Sequence, residues 1–302
     1  MKKVLITGAL GQDGIILSQI FLKKKFKVYG FIENTKNFKI SKVRYIVNNL
    51  SSKKKIIHHL EIVKPEIIIH LASKNETYEK RNKLKNYKIN YFKNLNNTKN
   101  LLSSIIKSKQ KIKLIFAGSS LMFDQKIKKV SEKTELKSTD PYGKYKIDSH
   151  NEIMKMKKIH KLDATTAILF NHDSKFRNKK FLIPRITKAF IKKDFKFIRK
   201  IYNLNINGDF SHAEDICKGI YKLCVTKKNI DLIILSSGKR FYINLIINYL
   251  EKYFKYKIKK KKLNKKIVYK TIGINKVAKD LIKYKPKKSF SITFKEILKF
   301  YL

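Results

Sequence analysis

Tyr142 and Lys146 stand four residues apart in "DPYGKYKIDSH" (140–150). Asp140 is suited to cap a helix and Pro141 to open it, so the two side chains share one helix face. A phenol has a pKa of about 10. A neighbouring ammonium favours the phenolate, which makes Tyr142 a usable acid/base near neutrality. Tyr145 lacks this pairing, because its own i+4 residue is Ser149. A hydroxyl donor is on offer in "FAGSSLMFD" (116–124), where Ser119 and Ser120 follow a glycine at the end of an apolar run. Ser119 is expected to hydrogen-bond a substrate hydroxyl or carbonyl. Ser120 is placed at the substrate too, with support of the turn as its main use. The next residue, Leu121, can neither give nor take a proton.

A second chemistry is written in "GALGQDG" (8–14), which puts Gly8, Gly11 and Gly14 at GxxGxxG spacing around Gln12 and Asp13. Glycines there allow a tight turn and let the backbone approach a pyrophosphate at a helix N-terminus. In "GFIENTK" (30–36) Glu33 is placed to accept hydrogen bonds from the ribose hydroxyls of NAD, while Lys36 is an alternative partner for the 2′-phosphate of NADP. The cofactor is therefore NAD or NADP, with the acidic residue favouring NAD. Asn49 in "VNNLSS" is read either as a ligand of the adenine amino group or as a turn residue, with Leu50 beside it. The chemistry calls for no metal.

These residues need a scaffold. "KVLITG", "FKVYGFI", "RYIVNN", "EIIIHLAS", "IKLIFAGSS" and "DATTAILFN" read as six strands. Helical patterns lie between them, at 13–25 and near 52–63, 86–108 and 141–160. Continuous apolar strands alternating with helices predict an α/β chain built on a parallel, doubly wound sheet of Rossmann type. Beyond Asn171 the pattern turns irregular: helices at "FLIPRITKAFIKK" and "HAEDICKGIYKLC", a returning strand at "IDLIILSSG", and helices near 241–254, 275–283 and 292–301. The expected division is a cofactor-binding domain over 1–170, rejoined by 204–237, and a smaller C-terminal substrate region over 171–203 and 238–302.

A length of 302 residues is enough for one large domain or two interleaved ones. The formal charge of +50 raises nucleic acid as a partner, but the lysines run from Lys2 to Lys299, with the densest run at 257–266. Nucleic-acid binders localise their basic patch. Abundant Lys, Ile, Asn, Phe and Tyr with scarce Pro and no Trp fit a compositional bias instead. Neither nucleic acid nor a membrane is expected as a partner. "MKKVLITG" reads as a first strand and not as a signal peptide. Cys217 and Cys224 fall on one helix and give no disulfide framework, so a reduced, cytoplasmic setting is expected.

The glycine triplet, the serine after the fifth strand and Tyr-x-x-x-Lys together resemble the extended short-chain dehydrogenase/reductases that act on nucleotide sugars. "TGALGQDG", "AILFNHDS", "SHAEDI" and "INKVAKDLIKYKPKKSF" are most similar to the GDP-mannose 4,6-dehydratases among them. The resemblance implies a nucleotide-sugar substrate, hydride transfer at C4 of a hexose, and substrate-binding roles for Asn171, Asp209 and Arg185. It puts His70–Ser73, with Leu71 and Ala72, in the loop beside the cofactor. It also implies a homodimer or higher homo-oligomer made through the helices near 86–108 and 141–160. The departures carry equal weight. The dehydratases have a glutamate where this chain has Leu121, an arginine where it has Gly208, and arginines where it has Glu33 and Asn34. "FAGSSLMF" and "FLIPRI" look closer to GDP-fucose synthase, a 4-keto reductase and epimerase. Dehydration needs a group to take the C5 proton. The sequence thus leaves two enzymatic readings open: a dehydratase in which Glu132 or Glu135 replaces the missing glutamate, and a reductase or epimerase that needs none. A silent nucleotide-sugar-binding protein is a third reading, against which the intact Tyr142–Lys146 pair argues.

Overall fold

A computed structural model describes residues 1–34, 40–74, 84–258 and 271–302. The chain opens with β1 (Lys3–Thr7), α1 (Gln12–Lys23), β2 (Lys27–Ile32), β3 (Val43–Val47), α2 (Lys53–Val63), β4 (Ile67–His70), α3 (Leu84–Lys107) and β5 (Lys113–Ala117). A 3-10 turn, Ser120–Met122, leads through β6 (Lys129–Val130) to α4 (Pro141–His160) and β7 (Asp163–Leu169). Then come β8 (Asn171–Asp173), α5 (Leu182–Ile191), α6 (Phe195–Asn203), β9 (Asn207–His212), α7 (Ala213–Val225) and β10 (Leu232–Leu235). The chain closes with β11 (Arg240–Tyr242), α8 (Asn244–Phe254), β12 (Ile272–Gly273), α9 (Lys276–Ile282) and α10 (Phe290–Tyr301).

Seven strands pair in parallel in the order β3-β2-β1-β4-β5-β7-β10. This is the Rossmann-type, doubly wound sheet that the alternation predicts. Alternate residues of each strand feed opposite faces. Val4, Ile6, Ile67, Ile69, Ile115 and Ala117 join α1 and α7 in one core, while Leu5, Ile68, Leu114 and Phe116 join α2, α3 and α4 in another. Burial on both faces explains why these strands read as unbroken apolar runs. Strand order reverses between β1 and β4, which opens a crevice beyond their carboxyl ends.

Outside this sheet, β8 pairs in parallel with β9, and β9 pairs antiparallel with β11. Thus β9, within the segment expected to return to the large sheet, lies in the small one, while α7 and β10 do return. A third core unites α5, α6, α8 and α10. Both cysteines are buried and free on α7. Among the described residues no helix is long and apolar enough to cross a membrane. Lys36 and most of the basic run at 257–266 lie outside the described residues.

Candidate active site

Gly8 ends β1 in the left-handed region, at φ +71°, and a Cβ there would come within 3.0 Å of the Ala72 backbone. Gly14 sits on α1, where a Cβ would fall 2.6 Å from Ala9 and from the Gly8 carbonyl. Both glycines are required by close packing of the protein itself. Gly11 differs: its backbone is ordinary, and a Cβ would meet only the Gly8 oxygen at 3.3 Å. It caps α1 without any side-chain hydrogen bond to the first-turn N–H groups. The space above Gly11 and the uncapped donors of α1 fit an anionic phosphate. The side chains of Gln12 and Asp13 turn the other way. Asp13 accepts from His172 Nε2 at 3.0 Å, and Gln12 Nε2 donates to the His172 carbonyl at 3.3 Å. Their side chains therefore brace the turn, which leaves their backbone N–H groups in the first turn of α1 as what they can offer an anionic cofactor.

Next to the turn, Leu71 N and Ala72 N donate to Thr7 Oγ1 at 3.2 and 3.1 Å, so the loop after β4 lies against the end of β1. Glu33 stands at the end of β2, 66% exposed, with Lys93 Nζ 3.5 Å from its carboxylate. So exposed a pair holds the carboxylate only weakly. At the end of the third strand Asn49 adopts the turn role, one of its two expected uses. Asn49 Oδ1 accepts from Ser51 N at 3.1 Å and from Ser51 Oγ at 2.6 Å, a local turn made by its own neighbours. Leu50 is buried in the second core at φ +63°.

The second cluster forms where β5 ends and α4 begins. Asp140 caps α4, accepting from Tyr142 N at 2.9 Å and Gly143 N at 3.3 Å, with Pro141 in the first turn. Gly143, which the sequence reading passed over, fixes the geometry. A Cβ there would lie 2.1 Å from the Leu121 carbonyl and from Ser138 Oγ. Only a glycine lets the helix close on the serine turn, and a glycine inside a helical pattern is the signal that marked it. Ser119 caps that turn, its Oγ accepting from Leu121 N at 3.2 Å, which leaves its O–H to donate. Ser120 is buried, and its carbonyl accepts from Gln125 Nε2 at 2.9 Å, in keeping with a supporting role in the turn.

Lys146 is 2% exposed, and Nζ donates to the Ala117 carbonyl at 2.6 Å. Its ammonium lies 4.6 Å from the Phe116 ring centroid, 5.5 Å from that of Tyr142 and 5.0 Å from that of Tyr145. Burial lowers its pKa to about 7. Tyr145 is wholly buried, and burial raises its pKa far above the usual phenol. His70 is held between Thr7 Oγ1 at 2.8 Å and Thr98 Oγ1 at 3.1 Å. Burial, helped by the Lys146 charge, lowers its pKa to about 3, so the ring is neutral.

Of the three residues expected at the substrate, Asn171 is half-buried at the start of β8, donating to the Asp209 carbonyl at 3.2 Å. Arg185 on α5 stacks over Phe197, 4.6 Å from its centroid. Asp209 is a correction. Its carboxylate is fully buried and accepts from Ser237 N at 2.9 Å, Ser237 Oγ at 2.6 Å and Gly238 N at 2.9 Å. It caps a turn, and burial raises its pKa to about 6. Glu132 is likewise engaged: Oε1 accepts from Ile234 N at 2.9 Å on β10. Glu135 is exposed.

Residues 5–294 match the family model described as GDP-mannose 4,6 dehydratase. GDP-mannose 4,6 dehydratase 2 of Arabidopsis thaliana is 26% identical over 255 residues, spanning 77% of this chain and 67% of that protein. Among solved structures, UDP-glucuronic acid 4-epimerase from Bacillus cereus in complex with NAD superposes with a TM-score of 0.81 at 21% identity, covering 99% of this chain and 98% of that one. A dTDP-glucose 4,6-dehydratase from Bacillus anthracis, also in complex with NAD, gives a TM-score of 0.82 at 15% identity over 100% and 96% of the two chains.

Proposed function

The chain belongs to the GDP-mannose 4,6 dehydratase family, and from that premise we propose that it is an NAD(P)-dependent enzyme acting at C4 of a nucleotide-bound hexose, with GDP as the nucleotide. One observation carries the reading. Lys146 is a buried lysine with no acidic partner among the described residues, its ammonium 5.5 and 5.0 Å from the ring centroids of two tyrosines at the end of a parallel sheet. A binding protein would gain nothing from so costly a placement. Tyr142 takes the C4 hydroxyl proton or returns it. Lys146 favours its phenolate when charged. Ser119 donates its O–H to the C4 oxygen. Gly8, Gly11 and the first turn of α1 hold the diphosphate, Leu71 and Ala72 flank the dinucleotide, and Glu33 accepts from the adenosine ribose. Bound there, NAD(P) supplies the hydride acceptor and donor. Two structural neighbours solved with NAD support this choice of cofactor. Asn171 and Arg185 face the nucleotide sugar. The cofactor-binding part is 1–170 rejoined by α7 and β10, the sugar-binding part is 171–203 with 238–302 and the β9 strand paired between β8 and β11, and α3 with α4 offers the faces for a homodimer.

Leu121 favours a second reading of the net reaction. The turn that carries Ser119 brings a leucine, not a carboxylate, beside the proposed reacting centre, and Glu132 is committed to Ile234. A 4-keto reductase or epimerase needs no group to take the C5 proton. Incubation with GDP-, UDP- and dTDP-sugars, followed by mass spectrometry, separates the outcomes. Loss of one water marks a dehydratase, gain of two hydrogens a reductase, and unchanged mass with altered retention an epimerase. No change with any sugar, in the presence of either NAD or NADP, would defeat the enzymatic reading.

A further inference from the structure

We propose that His172 is a doubly protonated positioning residue, a buried imidazolium that latches the glycine-rich turn to the strand carrying Asn171 and so sets the affinity for the anionic cofactor. Both ring nitrogens face acceptors. Nδ1 lies 2.6 Å from the Phe170 carbonyl, and Nε2 lies 3.0 Å from each oxygen of the Asp13 carboxylate. Neither partner can donate, so a neutral ring, with one N–H, would leave a lone pair against an oxygen. The ring is 8% exposed, and no water shell relieves such a clash. Burial pushes its pKa down, yet the charge and hydrogen bond of Asp13 outweigh it and the shift is upward. Asp13 moves the opposite way, below the usual carboxylate range.

The latch is wider than one contact. Ser174 Oγ donates to Gln12 Oε1 at 3.0 Å, and Gln12 Nε2 reaches both Asp13 Oδ1, at 3.2 Å, and the His172 carbonyl. Arg177 pairs with Asp173 at 3.1 Å, and Cys217 on α7 lies with its Sγ 3.8 Å from the Asp13 carbonyl. The thiol of Cys217 is pushed well up by burial and stays neutral. The cluster of Asp13, Asp173, His172 and Arg177 therefore sums to zero while His172 is charged. With a neutral ring it carries one negative charge beside the first turn of α1, where a diphosphate is to bind. That charge would oppose the ligand, and one of the two ring contacts, to Asp13 or to the Phe170 carbonyl, would be lost, which loosens the turn on β8 even though Gln12 still reaches the His172 carbonyl and Ser174.

The proposal rests on the cofactor reading only for the identity of the ligand, and its test has one part that does not. In 15N spectra of the wild-type protein without ligand at pH 7, both His172 ring nitrogens are expected to carry protons. A single-proton tautomer overturns the latch, whatever the enzyme turns over. The second part is calorimetric titration with NAD of the wild type, His172→Gln, Asp13→Asn and the double variant, with thermal melts alongside. His172→Gln is expected to weaken NAD roughly tenfold, the order of one charge-assisted hydrogen bond. The double variant should be no weaker than the worse single one, because both remove the same contact. Unchanged affinity in His172→Gln, or losses that multiply in the double variant, overturn the proposal. A wild type that binds no NAD or NADP defeats the cofactor reading instead, and the ring spectrum still decides the protonation state.

Discussion

Replacing Lys146 by methionine should make the protein more stable at pH 6 while removing its activity. Burial lowers this ammonium from an ordinary 10.5 to about 7. At about 1.4 kcal/mol per pH unit, holding the charge in the core costs up to roughly 5 kcal/mol wherever both the folded and unfolded chains are protonated, that is, below pH 7. As pH rises from 7 towards 10.5, the folded chain gives up its proton while the unfolded chain keeps it, so the cost fades and the wild type gains stability. Methionine has no such term. It fills much of the same volume among Phe116, Tyr142 and Tyr145, but leaves the Ala117 carbonyl without its 2.6 Å partner. That loss offsets about 1–3 kcal/mol. A net gain of about 2–4 kcal/mol at pH 6 follows. The sharper quantity is the change in the difference between the two proteins. From pH 7, where the folded group is half deprotonated, to pH 9 the wild type should gain on the variant by roughly 2.3 kcal/mol. Urea titrations at pH 6, 7, 8 and 9 measure it. A difference that stays constant across that range would refute a buried, depressed Lys146, and with it the observation on which the catalytic reading leans.

The other variants test neighbouring steps. Tyr142→Phe should lower turnover by roughly 10²–10⁴ while keeping cofactor affinity. Tyr145→Phe should retain activity, because its own i+4 residue is Ser149 and not a lysine; equal losses from the two changes would sink the assignment. Gly11→Val should fold, since its Cβ meets only the Gly8 oxygen at 3.3 Å, yet bind NAD at least tenfold more weakly by titration calorimetry. Gly14→Ala should instead lower the melting temperature, because its Cβ would collide at 2.6 Å with the Ala9 and Gly8 backbone. The wild type should wash no solvent deuterium into C5 of GDP-mannose by NMR, and Leu121→Glu should install a weak exchange; strong exchange by the wild type would return the dehydratase reading.

What the sequence disclosed follows from the range of the interactions involved. The inner strands of the large sheet are buried on both faces, so they announce themselves as apolar runs without reference to any partner, while β3 at the edge is half-exposed. The α4 site is equally local: cap, proline, Tyr142 and Lys146 lie within one short stretch of helix. The small sheet gave no such signal. β8 is "NHD" and β9 is "NGDFSH", polar strands whose pairing depends on elements folded elsewhere. Asp209 reads by type as a ligand, yet its partners Ser237 and Gly238 lie 28 and 29 residues away and enclose it. Asp13 belongs to a motif that suggests a cofactor contact, but it is turned by His172, 159 residues along the chain. Residue type names the chemistry a side chain can do. Long-range packing decides which way it points.

Position 121 shows how the two kinds of information combine. Its backbone is not free to adjust, because Gly143 brings α4 so close that even a Cβ would strike the Leu121 carbonyl. Lys146 fastens the same helix to the end of β5 through Ala117, and Ser119 accepts from Leu121 N within the turn. The direction in which residue 121 leaves the chain is thus fixed by packing that any side chain there would inherit. Leu121 is half-buried and belongs to none of the apolar cores, so the main sheet does not demand a leucine at this place. Its identity is free to answer to chemistry. A carboxylate on this fixed stem would be partly desolvated, with its pKa raised towards the range useful for moving a proton. A leucine on the same stem offers no base. On the proposed assignment of Ser119, Tyr142 and Lys146 the backbone is the same in both cases, so the proposed choice between net reactions turns on the side chain at position 121.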